Sequence, residues 1–168
     1  MQTPSFLTDD PKKVKGTFLF NNYTNLGQNN FWHTEYNGEL NQHQKQLKKL
    51  AEKILSFAGH QVIMPSIEDD LDKIQQRGLF CDGKHSIIKK GLPSQCHRNS
   101  CDLYEYENRK DFFIMTGYAL SDDGYWYQHS WCIDYKNNHI IETTEPRLAY
   151  FGFVMTHDEC DDFCFDNF

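Results

Sequence analysis

The sequence has no apolar run long enough to span a bilayer, which takes about 20 consecutive apolar residues. Its first residues, MQTPSFLTDDPKKVKG, lack the basic-then-apolar order of a secretory signal. These absences predict a soluble, cytoplasmic protein with no membrane partner; an effector exported by another route would share them. A basic footprint is missing too. There are 17 Lys and Arg against 24 Asp and Glu, for a net charge of −7. Nucleic acid is therefore not an expected partner, because phosphate binding needs clustered positive charge. The chain has no Cys-x-x-Cys knuckle, EF-hand spacing, internal repeat or low-complexity tract. In a reducing compartment its six cysteines (Cys81, Cys96, Cys101, Cys132, Cys160 and Cys164) are expected as free thiols.

Aromatic residues, by contrast, are abundant: 13 Phe, 9 Tyr and 3 Trp in 168 residues. That is enough apolar surface for one hydrophobic core. Residues 1–16 are polar and read as a loosely held arm. Residues 17–168 read as a single α+β domain. FLFNNYTNLGQNNFWHTEYNG predicts short strands and loops. Leu47, Leu50, Ala51, Ile54, Leu55 and Ala58 recur at helical spacing before Gly59, which predicts a core-packing helix. QVIMP predicts a strand. SIEDDLDKIQQRG predicts a short helix with Ser66 as its cap and an exposed, acidic first turn. GLFCDGKHSIIKKGLPSQ predicts a loop or strand region. FFIMTGYAL, YWYQHSWCIDY, IIETT and AYFGFVM then follow as strand-like runs, which predicts an antiparallel meander. HDECDDFCFDNF predicts either a short acidic helix or a last strand.

The segment PSQCHRNSCDLYE carries the chemistry. A helix opening at Ser94, as N-cap, puts Cys96 in its first turn. There the unpaired N–H groups and the helix dipole stabilise a thiolate. A nucleophilic thiolate needs a base, and His129 in YWYQHSWCIDY is the candidate. On a strand, His129 and Trp131 share a face with Tyr127, while Ser130 and Cys132 point the other way. Glu142 in IIETT is the candidate to orient the imidazole. Asp134 falls on the opposite face. A tight turn at Asn137-Asn138 would pair Glu142 with Ile133 rather than with His129, an offset that a bulge would have to absorb.

These residues resemble the core of the transglutaminase-like branch of papain-like cysteine enzymes. The likeness lies in Cys96 on a helix start, Gly117-Tyr118 on a strand, His129-Ser130-Trp131 on the next, and Glu142-Thr143-Thr144 on the one after. It covers residues 93–145, about a third of the chain. His97 stands where an aromatic residue usually follows the nucleophile, and Glu142 where Asp or Asn is usual. The resemblance implies a papain-like α+β core with the nucleophile helix packed on an antiparallel sheet. It implies a Cys96-His129-Glu142 triad acting through a thioester, without a cofactor, on an amide of a protein or peptide substrate. Deamidase, amidase, peptidase and transglutaminase activities all fit. The backbone N–H of Cys96 is the default oxyanion donor, and Gln95 could add a side-chain amide. Tyr118 and Trp126 are candidates to line a cleft, and Trp131 to shield the His–Glu contact.

Other readings stay open at this point. Cys96 could be a small buried hydrophobe, and the domain a binding module without chemistry. His97 and Cys101 share a helical face that excludes Cys96, so they could only pack. With Cys160 and Cys164 they could instead hold a structural zinc if the C-terminus folds back.

Overall fold

The computed structural model describes residues 17–21 and 40–168. The predicted arm, 1–16, and most of the Asn-rich stretch after it lie outside the described residues. The first helix, α1 (Gln42–Phe57), starts with a reciprocal cap. Asn41 accepts from the Gln44 amide N–H, and the Gln44 side chain accepts from that of Asn41. Leu47, Leu50, Ala51, Ile54 and Leu55 are its buried face, as their spacing predicts. Ala58 is the C-cap. Each fully buried aliphatic side chain contributes about 1.5–3 kcal/mol relative to exposure.

Strand β1 (Thr17–Asn21) lies parallel to β2 (Gln61–Pro65), the predicted QVIMP strand. Helix α2 (Leu71–Arg77) starts later than expected, with Asp70 rather than Ser66 in the N-cap position. Glu68, expected on an exposed acidic turn, is only 4% exposed and accepts a 2.6 Å hydrogen bond from Tyr118 Oη. After β3 (Leu79–Asp82), a 3-10 turn and the two-residue β4 (Ile87–Ile88) comes α3 (Cys96–Glu107). Four strands follow: β5 (Phe112–Leu120), β6 (Tyr125–Asp134), β7 (His139–Glu142) and β8 (Ala149–Val154). The last segment is a helix, α4 (His157–Asn167). Thr156 and Glu159 form a capping box that settles it against the strand alternative.

The eight strands form one mixed sheet in the order β1-β2-β6-β5-β8-β3, with β7 branching from β6 and β4 from β7. The expected meander is therefore partial. β5, β6 and β7 are consecutive antiparallel neighbours, but β8 returns to pair with β5. β1 and β2 join in parallel, as does β4 with β7, so the sheet is not purely antiparallel. The β8 return depends on two glycines. Gly117 of β5 and Gly152 of β8 are register partners, and a Cβ on Gly117 would come within 2.5 Å of Gly152 Cα. A Cβ on Gly152 would strike the Trp131 ring at 2.8 Å.

Alternation along the strands divides the core. Val62, Met64, Ile114, Cys132 and Phe153 pack with residues of all four helices on one face. Met115, Ala119, Trp131, Ile133, Ile140 and Tyr150 form a second cluster on the other. The molecule is an α+β structure whose helices cover one face of a curled sheet.

Candidate active site

The helix bearing Cys96 starts without a side-chain cap. Gln95 is the N-cap residue, and its carbonyl accepts from Asn99 N at 2.8 Å. Ser94, the expected cap, has φ +57° and lies one residue outside the helix. Asn99 does the anchoring instead. Its side chain accepts from Leu92 N at 2.9 Å and donates to Leu92 O at 2.8 Å and Thr143 O at 3.3 Å. Lys89 N and Gly91 N donate to Glu142 O and Thr143 O. The approach loop is thereby laced to the end of β7. Gly91 is required there, because a Cβ would sit 2.5 Å from the Asn99 side chain. Cys96 is left at position N1 with uncapped first-turn N–H groups around it, an environment that favours a thiolate.

His129 sits on the sheet face away from the helices, so its meeting with Cys96 needs explaining. β6 pairs with β2 only through Tyr127, and with β7 only from Cys132 onward. Between these points the edge of β6 is open, and the start of α3 lies against it. His97 Nδ1 is 2.7 Å from Ser130 Oγ, and Cys132 Sγ donates to Ser100 O. Cys96 and His129 come together across this open edge, near enough that each shifts the other's titration, and both line one cleft.

Burial alone would push the Cys96 thiol up. The influence of His129 and then of His97 on the sulfur outweighs it and pulls the value from 9.0 down to about 5. Burial likewise disfavours the His129 imidazolium, yet Cys96 and Glu142 together hold its pKa above the ordinary value. His129 is 3% exposed. Its Nε2 lies 3.0 and 2.9 Å from the two oxygens of Glu142. With Nε2–H donated there, Nδ1 is the ring nitrogen left free of Glu142. Trp131 lies nearly parallel to the imidazole, with centroids 6.2 Å apart and an interplanar angle of 16°. It is fully buried on the same sheet face as His129.

Glu142 reaches His129 through a register different from the expected one. Asp134 pairs with His139 across a turn of residues 135–138, and Ile141 pairs with Cys132. Continued by one residue, this sets Glu142 opposite Trp131, on the His129 face, and no bulge is needed. The carboxylate is 0% exposed. Burial would raise its pKa, but the hydrogen bond from His129 and those from Thr144 hold it low. Thr144 N and Oγ1 donate at 2.7 and 2.8 Å, and Tyr150 Oη at 3.1 Å. Asp134 is paired with Arg109 at 2.6 Å rather than with His129.

Cys96 and His129 open onto a cleft of about 980 Å³, whose walls include Gly91, Ser94, Tyr127, Thr144 and Arg147. Tyr118 and Trp126 do not line it. Both are fully buried, Tyr118 bonded to Glu68 and Trp126 Nε1 donating to Ala58 O at 2.9 Å. Gln95 is exposed beside Cys96 and forms no side-chain cap, and like Tyr118 and Trp126 it is not among the residues lining the cleft. Sequence reasoning missed His97. It does more than pack: its Nδ1 is 3.9 Å from Cys96 Sγ, and it donates to Ser130, which donates onward to Thr116 Oγ1 at 2.9 Å. The alternation that points Ser130 away from His129 is the signal for it. Arg147 and Gln128 are further cleft residues without a sequence motif.

Among the described residues, no group of three or more His, Cys, Asp or Glu side chains is disposed to hold a metal. Instead, His97 packs edge-on against Phe163, and Cys101 donates weakly to Phe163 O. No described helix is long and apolar enough to cross a membrane. Comparisons with protein-family models, with curated proteins and with solved structures find no match.

Proposed function

We propose that the chain is a cysteine-dependent acyl-transfer enzyme of papain-like, transglutaminase-like type, acting on an amide of a protein or peptide. The observation that carries this reading is the arrangement of Cys96, His129 and Glu142. It runs from a cleft-facing thiol on a helix start to a fully buried, donor-saturated carboxylate. A core histidine serving only to pack would not need a buried carboxylate bonded behind it and a cleft-lining thiol in front.

In the proposed reaction the Cys96 thiolate attacks the carbonyl carbon of the amide. The negative charge moves to the carbonyl oxygen, which the Cys96 N–H can stabilise. The tetrahedral intermediate collapses, the C–N bond breaks, and the leaving amine takes the proton of His129. A thioester to Cys96 and neutral His129 result. Water or an amine, deprotonated by His129, then attacks the thioester and restores the thiolate–imidazolium pair. Water makes the reaction a hydrolysis or deamidation, our first choice; an amine makes it a transfer.

The test uses p-nitrophenyl acetate, whose acyl group needs no substrate recognition. A burst of one p-nitrophenolate per chain is expected, with an acetyl group on Cys96 by peptide mass mapping. The burst should disappear in Cys96→Ser and fall sharply in His129→Gln. Added methylamine that speeds turnover and yields N-methylacetamide would mark a transferase. A wild-type burst that survives in Cys96→Ser overturns the proposal. No burst at all points instead to a binding module that keeps the cleft without the chemistry.

A further inference from the structure

Arg147 stands in the cleft wall without an acidic partner. Besides Cys96 and His129, the cleft lining holds Lys90, Asp122, Asp123, Glu145 and Arg147. Lys90 is paired with Glu145 at 2.6 Å. Asp123 accepts from Tyr125 N and from Tyr127 Oη, at 2.9 and 2.8 Å. Asp122 is exposed, where water screens it. Arg147 is only partly exposed, and no carboxylate lies within ion-pair distance of it among the described residues.

The guanidinium is nevertheless held in position. Leu148, next in sequence, donates to Leu120 O at 2.8 Å and accepts from Gly83 N at 3.0 Å, so the backbone is fixed on both sides. Nη1 donates to the buried hydroxyl of Ser121. Nε is buried without a partner, and Nη2 has no protein acceptor among the described residues. With Nη1 engaged and Nε closed off from solvent, Nη2 is the donor left to a ligand in the cleft, where a carboxylate oxygen would form a charge-assisted hydrogen bond with it. A partly desolvated cation with unsatisfied donors is costly to leave unpaired, and a ligand that satisfies them is selected strongly over one that does not.

We propose that Arg147 is the specificity-determining residue of this cleft and that it binds a carboxylate of the substrate. That carboxylate is an acidic side chain or a chain terminus near the bond attacked by Cys96. The inference rests on the proposed thiol chemistry of Cys96. Its chemical class is an acidic peptide, where the cleft alone would accept any peptide that fits.

Thiol-directed labels test it. Iodoacetyl-glutamic acid amide carries the carboxylate on a side chain, and iodoacetyl-glycylglycine carries it at a chain end. Each is compared with its uncharged amide, and plain iodoacetamide serves as the control. In each case the Cys96 sulfur displaces iodide from the methylene carbon. At least one acidic label should react about tenfold faster than its amide at low salt, the effect of one charge-assisted hydrogen-bond pair. The arm that shows the preference identifies the source of the carboxylate. In Arg147→Gln the preference should fall to near one, and Arg147→Lys should restore part of it. Each labelling rate is divided by the iodoacetamide rate of the same variant, so that any change in the thiol itself cancels. A ratio near one for both acidic labels in the wild type overturns the inference, and so does a preference that survives in Arg147→Gln. Failure of the Cys96 reading looks different, because iodoacetamide would then show no activated thiol in any form of the protein.

Discussion

The pH profile of Cys96 alkylation is the most direct consequence of the geometry. With its value lowered from 9.0 to about 5, Cys96 is roughly 90% thiolate at pH 6, against about 0.1% for an unperturbed thiol. The ratio of thiolate fractions is about 900. Intrinsic nucleophilicity falls with pKa, and a Brønsted slope near 0.45 over the four-unit difference removes roughly 60-fold. Cys96 should therefore react with iodoacetamide about 15-fold faster than an ordinary thiol at pH 6, with an inflection near pH 5. The other five cysteines are buried, and Cys81 and Cys160 are pushed up to about 12, so intact mass should show a single adduct. In His129→Gln the inflection should climb by about 2 units or more, short of the full way, because His97 and the helix start remain. Near-ultraviolet circular dichroism of the buried Trp126 and Trp131 checks that the variant is folded, and His129→Asn provides a second variant. The stability consequence has a definite sign. The lowered Cys96 value contributes stability that is full above pH 9 and lost as pH falls through 5. The raised His129 value contributes stability that is full below 6.5 and lost as pH rises through its folded value. Both describe one ion pair, so the gain is counted once and peaks between those limits. A wild-type inflection at pH 8 or above, or one unmoved in His129→Gln, would refute the reasoning.

Three further perturbations separate the parts of the site. Glu142→Gln removes the charge behind the imidazolium and should raise the Cys96 inflection by about 1–2 units, read from the same alkylation profile; an unchanged profile would mean that Glu142 only packs. His97→Gln should raise it by less than His129→Gln does, since the His97 Nδ1–H is directed at Ser130 and the sulfur is 3.9 Å away. A larger effect from His97→Gln would exchange the two histidines' roles. Gly152→Ala places a Cβ against Thr116 O and 2.8 Å from the Trp131 ring. It should cost about 1–3 kcal/mol and lower the melting temperature by several degrees in scanning calorimetry.

Local signals were legible in the sequence where one physical rule decided the outcome. The α1 stripe, the QVIMP strand and the alternation that sets His129 and Trp131 on one face all stand in the structure. The approach of Cys96 to His129 follows the order of elements. What was not legible depends on pairing at long range. The parallel β1–β2–β6 edge and the return of β8 to β5 are set by core filling and by the Gly117–Gly152 contact, which leave no local pattern. The reading of Tyr118 and Trp126 as cleft residues failed because their strand face is covered by helices. Glu68 was read as a solvated acid, since nothing near it in sequence reveals that Tyr118, fifty residues away, donates to it. His97 was assigned to the wrong neighbours because helical facing alone cannot show that β6 leaves an open edge beside it.

The positions of Cys96 and His129 are not independent, and Glu142 is the reason. Its carboxylate holds His129 Nε2, while its main-chain carbonyl accepts from Lys89 N in the loop that leads into the Cys96 helix. The next residue, Thr143, accepts from Gly91 N and from the Asn99 side chain of that helix. One strand end therefore fixes the base through a side chain and the nucleophile through its backbone. The β6–β7 register controls both. With the two-residue turn at Asn137-Asn138, Glu142 would stand opposite Ile133, two residues farther from His129 along β6, and the loop bonds would move with it. The four-residue turn is held in the observed register by Asp134, which accepts from Asn137 N at 3.1 Å and from its side-chain amide at 2.8 Å. Asp134 touches neither Cys96 nor His129. It still helps to set their separation, since the turn it anchors determines where Glu142 falls.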